Sequence, residues 1–273
     1  MKNCLFVLLL ALLPASLLAQ AAFTAVFKKG QEPIELALGI SWEAFRDTHA
    51  SLQAKGFRLI DVETGTEEGR RLYYGIWKED PQTPSIVLRK VPGWDSLVTL
   101  KRQMAKDTFV MQDIEAYTAD SQAFYLATWA AGSTKHKVRK LSSWQGLMND
   151  HKEMGRRQLQ MVDLEGFEGL DGRTKYLALY HRRSPEGRTY PFRAPKPESF
   201  STDKVYRNKS RYYLFDFEQF EKRDIRFLFG LYDAQRPGDT LVEAWGAEDL
   251  LEKARQFKED GMVLYDLDVR SLE

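Results

Sequence analysis

The stretch LIDVE, residues 59–63, decides how this chain is read, because it recurs. It returns as MQDIE at 111–115, MVDLE at 161–165, LFDFE at 214–218 and LYDLD at 264–268. The aspartates fall at 61, 113, 163, 216 and 266, in steps of 52, 50, 53 and 50 residues. A second marker, small then apolar then aromatic, keeps the same step. It reads Gly75-Ile76-Trp77, Ala127-Thr128-Trp129, Ala178-Leu179-Tyr180 and Gly230-Leu231-Tyr232, with Thr128 the one non-apolar middle residue and an N-terminal copy at Ala25-Val26-Phe27. A third marker, an aromatic ahead of a helical stretch, falls at Trp42, Trp94, Trp144, Phe200 and Trp245. Three markers sharing one period of about 50 residues identify tandem structural repeats.

Each unit reads as a helix, a strand carrying the Asp, a strand ending in the aromatic, and a short third strand leading to the next helix. Apolar residues at helical spacing, such as Leu250, Ala254 and Phe257, support the helices. The units then span about 41–90, 94–141, 143–194, 199–243, and 245–270 completed by 22–38. The chain starts with an aromatic-ended strand and ends with an Asp strand, so each end lacks what the other has. Pairing them predicts an α+β fold: a closed, propeller-like ring of five units, each one helix plus two or three antiparallel strands, the last shared between the termini. Closure removes exposed sheet edges, whereas an open solenoid would need polar capping repeats. Residues 183–200, with Pro185, Pro191, Pro195 and Pro197, read as a surface excursion.

Residues 1–21 have the pattern of a secretory signal: Lys2, an apolar run broken by Pro14, and Ala19-Gln20-Ala21 at a small-x-small cleavage position. Cleavage there leaves one repeat domain, 22–273, secreted or periplasmic. The only cysteine, Cys4, leaves with the signal, so the fold relies on its core rather than on disulfides. The formal net charge is +1 and falls to about zero without Lys2. That balance makes no electrostatic case for nucleic acid, and no second long apolar stretch predicts a membrane span.

The five aspartates are the candidate site. If equivalent strands line the axis, Asp61, Asp113, Asp163, Asp216 and Asp266 converge as an acidic ring able to bind Ca²⁺ or a cationic ligand. The alternative, which we favour, is structural: each accepts hydrogen bonds from a neighbouring unit's backbone N–H groups. Strand alternation places Asp61 and Glu63 on one face and Ile60 and Val62 on the other. Ser201-Thr202-Asp203-Lys204 has the Ser-x-x-Lys spacing of some serine nucleophiles, but lacks the partner motifs and reads as a helix N-cap at Ser201. The histidines, His49, His136, His151 and His181, form no metal-binding spacing. With no nucleophile–base pair and no cofactor motif, the expected function is a secreted, non-catalytic binding or scaffold module. Its partner would be a protein or a surface glycan. The alternative is a hydrolase or Ca²⁺-dependent binding protein using the aspartate ring.

The stretch AKGFRLIDVETGTEEGRRLYYGIW, residues 54–77, resembles the bacterial tandem repeat domain found in the N-terminal region of polyglycine hydrolases. Gly56, Phe57, Arg58, Leu59, Tyr73, Ile76 and Trp77 carry the match, Tyr125 and Trp129 keep it, and Leu228 and Tyr232 have drifted. The resemblance implies a propeller-like array of small strand-and-helix units in exported bacterial proteins. It implies no activity, because the repeats are not the catalytic part of those hydrolases. The five-fold penteins are similar in unit size, but their catalytic Cys has no counterpart here.

Overall fold

A computed structural model describes residues 21–83, 85–183, 188–222, 225–234 and 239–271. The signal expected at 1–21 lies, apart from Ala21, outside the described residues, as does Pro185. The chain begins with β1 (Ala21–Lys29) and then repeats one pattern of short strand, helix and two longer strands. The first unit is β2 (Ile34–Ile40), α1 (Trp42–Ala54), β3 (Phe57–Glu67) and β4 (Arg70–Glu79). The second is β5 (Val87–Pro92), α2 (Trp94–Lys106), β6 (Phe109–Ala119) and β7 (Gln122–Ala131). The third is β8 (His136–Leu141), α3 (Trp144–Arg156), β9 (Leu159–Glu168) and β10 (Thr174–Arg182). The fourth is β11 (Thr189–Ala194), α4 (Pro197–Lys209), β12 (Tyr213–Lys222) and β13 (Ile225–Asp233). The fifth is β14 (Asp239–Trp245), α5 (Ala247–Glu259) and β15 (Met262–Ser271).

Among the described residues, five helices thus accompany five three-stranded antiparallel sheets, an α+β repeat. In each sheet the aromatic-ended strand is central, with the short strand on one side and the Asp strand on the other, as in β2-β4-β3. The fifth sheet, β14-β1-β15, takes its central strand from the N-terminus, in the register Ala25↔Val242 and Ala25↔Leu267. The short strands sit differently from the sequence expectation. Each pairs within the following unit, so unit boundaries fall ahead of the short strand rather than after it: β5 pairs β7, not β4. Long-range backbone pairing sets that boundary, and a short strand carries no local mark of its partner. Residues 189–194, expected within a surface excursion, are the edge strand β11. Pro191 is tolerated there because an edge strand has one unpaired side, and Pro197 opens α4 at its first turn, where a missing N–H donor costs no intrahelical hydrogen bond.

The helices are all 13 residues long, and each buries its fourth residue. These residues are Phe45, Leu97, Leu147, Phe200 and Leu250, none more than 1% exposed. Phe200 therefore aligns with Phe45, not with Trp42, Trp94 and Trp144, which open their helices. Trp245 ends β14 and is exposed. Ser201 is correspondingly interior to α4 and not its cap. The caps are Ser41 and Ser143, whose hydroxyls accept from Ala44 N and Gly146 N.

The buried fourth residue explains the small residue of the second marker. A Cβ on Gly75 would lie 2.8 Å from Phe45, and one on Gly230 would lie 2.7 Å from Phe200. Where the helix supplies Leu instead, the strand supplies Ala: Leu97 with Ala127, Leu147 with Ala178, and Leu250 with Ala25 share core clusters. Large-with-Gly and smaller-with-Ala fill the same space, as close packing requires. The marker aromatics Phe27, Trp77, Trp129, Tyr180 and Tyr232 are fully buried between helix and sheet. Trp77 Nε1 donates to His49 Nδ1 at 3.2 Å, which leaves His49 Nε2 as donor to Ile86 O at 3.0 Å.

Candidate functional site

Every Asp strand carries one extra residue at the same place. The register slips between Leu59 and Asp61, Met111 and Asp113, and at the equivalent points of β9, β12 and β15. This β-bulge at the second position of the pentapeptide changes which residues share a face. Leu59 and Val62, three apart, both enter one core cluster. So do Met111 and Ile114, Met161 and Leu164, Leu214 and Phe217, and Leu264 and Leu267. Strict alternation, with Ile60 and Val62 together, does not hold. The bulged residues Ile60, Gln112, Val162, Phe215 and Tyr265 instead line a cavity of about 250 Å³ with the five aspartates.

Each Asp strand is an edge of its sheet, so its outward N–H groups lack a strand partner. The next unit's aspartate supplies the acceptor. Ile114 N donates to Asp163 Oδ2 at 2.7 Å, Leu164 N to Asp216 Oδ2 at 3.2 Å, and Phe217 N to Asp266 Oδ2 at 2.9 Å. Leu267 N, in the fifth unit, donates to Asp61 Oδ2 in the first at 3.0 Å. Asp113 departs from this pattern: its carboxyl is hydrogen-bonded to the side chain of Asp163. Four of the five aspartates are thus inter-unit hydrogen-bond acceptors. Other contacts follow the same seams: Thr118 Oγ1 to Glu168 O at 2.6 Å, the Tyr73 and Tyr117 hydroxyls at 2.8 Å, and Phe23 edge-on to Tyr74 at 5.8 Å.

Replacing Asp163 with Ala would strand the buried Ile114 N–H and should destabilise by about 1–3 kcal/mol. Asp163→Asn keeps an acceptor oxygen and removes a buried charge, so it should stay close to wild type or exceed it. Urea midpoints of the two variants, with unchanged denaturant slope, test this pair. Equal stability of wild type and Asp163→Ala would refute the acceptor role.

A second acidic level lies two residues on, at Glu63, Glu115, Glu165, Glu218 and Asp268. These side chains, with Thr64, Arg71, Gln219 and Phe167, line a separate cavity of about 700 Å³. Its rim includes the exposed Ser121 and Leu170, so it opens to solvent. Strand alternation places Glu63 on the aspartate's face but does not by itself mark this level as a site. The signal was present: the fifth position of the pentapeptide is acidic in all five copies.

Arg71 is the cation on this cavity's wall; it donates to Thr64 Oγ1 at 3.3 Å and lies 4.3 Å from the Tyr117 ring centre. Thr64 Oγ1 donates in turn to Glu115 Oε1 at 2.8 Å. Burial pushes the Glu63, Glu165 and Glu218 carboxyls well above the usual range, and their like-charged neighbours push further. Burial raises Asp61, Asp163 and Asp266 in the same direction, and takes Asp113 to about 8 and Asp268 to about 7.

This geometry defines a repeat protein whose units meet along acid-bearing edges. Residues 33–80 match the family described as polyglycine hydrolase-like, structural repeat, and that span coincides with the first unit, β2 through β4. No curated protein matches the chain. Among the described residues no helix is long and apolar enough to cross a membrane.

Proposed function

We propose that this chain is an exported, non-catalytic binding module in which the five units close into a propeller-like ring, forming one domain. Its ligand-accepting face is the glutamate-lined cavity. The observation that carries this reading is the division of labour between the two acidic levels. Four of the aspartates are engaged as acceptors along the seams, while the level beyond them lines the open cavity. The bond from Leu267 N to Asp61 and the seat of β1 between β14 and β15 support closure. An acid-lined cavity favours a cationic ligand, such as a lysine-bearing segment of a protein partner, over a neutral surface glycan.

Pentalysine binding tests this reading. At low salt the full chain should bind the peptide, with affinity falling as salt rises. Glu218→Gln should weaken binding, and a neutral pentaglycine control should not bind. Absence of pentalysine binding at low salt would refute the cationic-ligand reading.

A further inference from the structure

We propose that the outward face of α4 docks, antiparallel, on α4 of a second copy of this chain. The five helices have one length and one buried fourth residue, so each position on α4 can be compared with its four equivalents. At about 100° per residue, the ninth and tenth positions lie on the far side of the helix from the fourth. They are Ala50-Ser51 on α1, Arg102-Gln103 on α2, Lys152-Glu153 on α3 and Arg255-Gln256 on α5, all small or polar. On α4 they are Val205 and Tyr206, 56% and 70% exposed. An adjacent pair of large side chains in water, where the other units place small or polar ones, marks an interaction surface. Tyr is also a residue that interfaces favour.

The charges around the pair select a second copy as the occupant. The exposed stripe of α4 runs Glu198, Ser201, Thr202, Val205, Tyr206 and Lys209. It is its own complement. Turned end for end, Glu198 meets Lys209 of the second copy, Ser201 meets its Tyr206 and Thr202 meets its Val205. A two-fold contact has this form, residue i on j and j on i. Neither Glu198 nor Lys209 has an ion-pair partner among the described residues, whereas Asp203 and Arg207 between them pair with each other. The end charges of α2, Asp95 and Lys106, are similar, but Arg102 and Gln103 stand between them. A recess that includes Thr202 and Tyr206 flanks the stripe and gives Val205 of the second copy a place to enter. Glu198 and Lys209 stand about 16 Å apart along the helix, so the contact is small and of the weak, reversible class. None of these residues lines the glutamate-lined cavity, so the inference goes beyond the ligand reading and does not depend on it.

Sedimentation equilibrium of the purified protein over a concentration series tests the contact. Wild type should pass reversibly from monomer to dimer and stop there, since a two-fold contact closes at two copies. Tyr206→Glu should weaken the dimer about tenfold or more, with Val205→Glu as the second variant should it not fold. Glu198→Lys and Lys209→Glu should each weaken it, because like charges then face each other, and the double reversal should restore it. Gln103→Glu, at the same place on α2, should leave it unchanged. All five positions are exposed, so an unchanged melting temperature should accompany each variant. A wild type that stays monomeric, a mass that climbs past the dimer, or a double reversal no tighter than the single ones would overturn the proposal.

Discussion

Deleting residues 23–27 should abolish cooperative folding. These residues are the middle of β1, the central strand of the fifth sheet, and without them β14 and β15 lose their only strand partner there. Phe23, Ala25, Val26 and Phe27 are at most 2% exposed, and Phe27 stacks on Phe257 of α5 at 4.5 Å. Burial of the two Phe and the Val side chains contributes about 5–8 kcal/mol, comparable with the whole stability of an ordinary domain. Phe27→Ala alone should cost about 3–5 kcal/mol. A circular permutant should behave oppositely. Ala21 pairs with Ser271, so a short hairpin linker can join the ends, with new termini opened between β4 and β5. The permutant should melt in one transition close to wild type, while the deletion should aggregate or melt without a cooperative transition. A monomeric, equally stable deletion would sink the shared-unit and closed-ring account together.

The second large effect is on pH, and its sign is unusual. In chelator, stability should fall as pH rises from 6.5 to 8.5. Asp113 is raised to about 8 and Asp268 to about 7, first by burial, against an ordinary value of 3.8. The folded state therefore holds protons that the unfolded chain has lost. Their stabilisation is complete below about pH 4 and is lost as pH rises through the folded values. Each such proton is worth about 1.4 kcal/mol per pH unit, or roughly 3–6 °C in Tm for a chain of this size. Below about pH 6.5 three histidines oppose the trend. Burial lowers His49 and His151, and takes His136 down to about 4, so the folded state resists charging imidazoles that the unfolded chain protonates freely. The raised acids outnumber these histidines, so the profile should have its maximum on the acid side of pH 6. Asp113→Asn should raise Tm at pH 8 and raise it less at pH 5. A wild-type Tm that climbs steadily from pH 6.5 to 8.5 would contradict the protonated acids.

Periodicity alone was enough to read the number of units, the helix and strand within each, and the seat of the N-terminal strand beside the C-terminal one. The reason is local. Helix and strand periods, the Gly or Ala facing a helix residue, and a repeated acid are written in neighbouring side chains, and five copies average out the exceptions. The candidate acceptors Asp61, Asp163, Asp216 and Asp266 were legible for the same reason, since a joint recurs wherever the seam recurs.

What only the tertiary structure decided are properties of pairing and space. The short strands' membership in the following unit depends on which backbone they meet after the chain turns, and nothing in Val87–Pro92 states it. The bulge before each aspartate is a backbone event without a composition of its own, yet it sends Leu59 and Val62 into one core and turns Ile60 out of alternation. Phe200 looked like a helix-leading aromatic because Pro197 moved the helix start three residues upstream. Finally, LIDVE contains two acids that look alike in sequence. Asp61 meets a neighbour's N–H and Glu63 meets a cavity, because the seam closes tightly at the first and opens at the second.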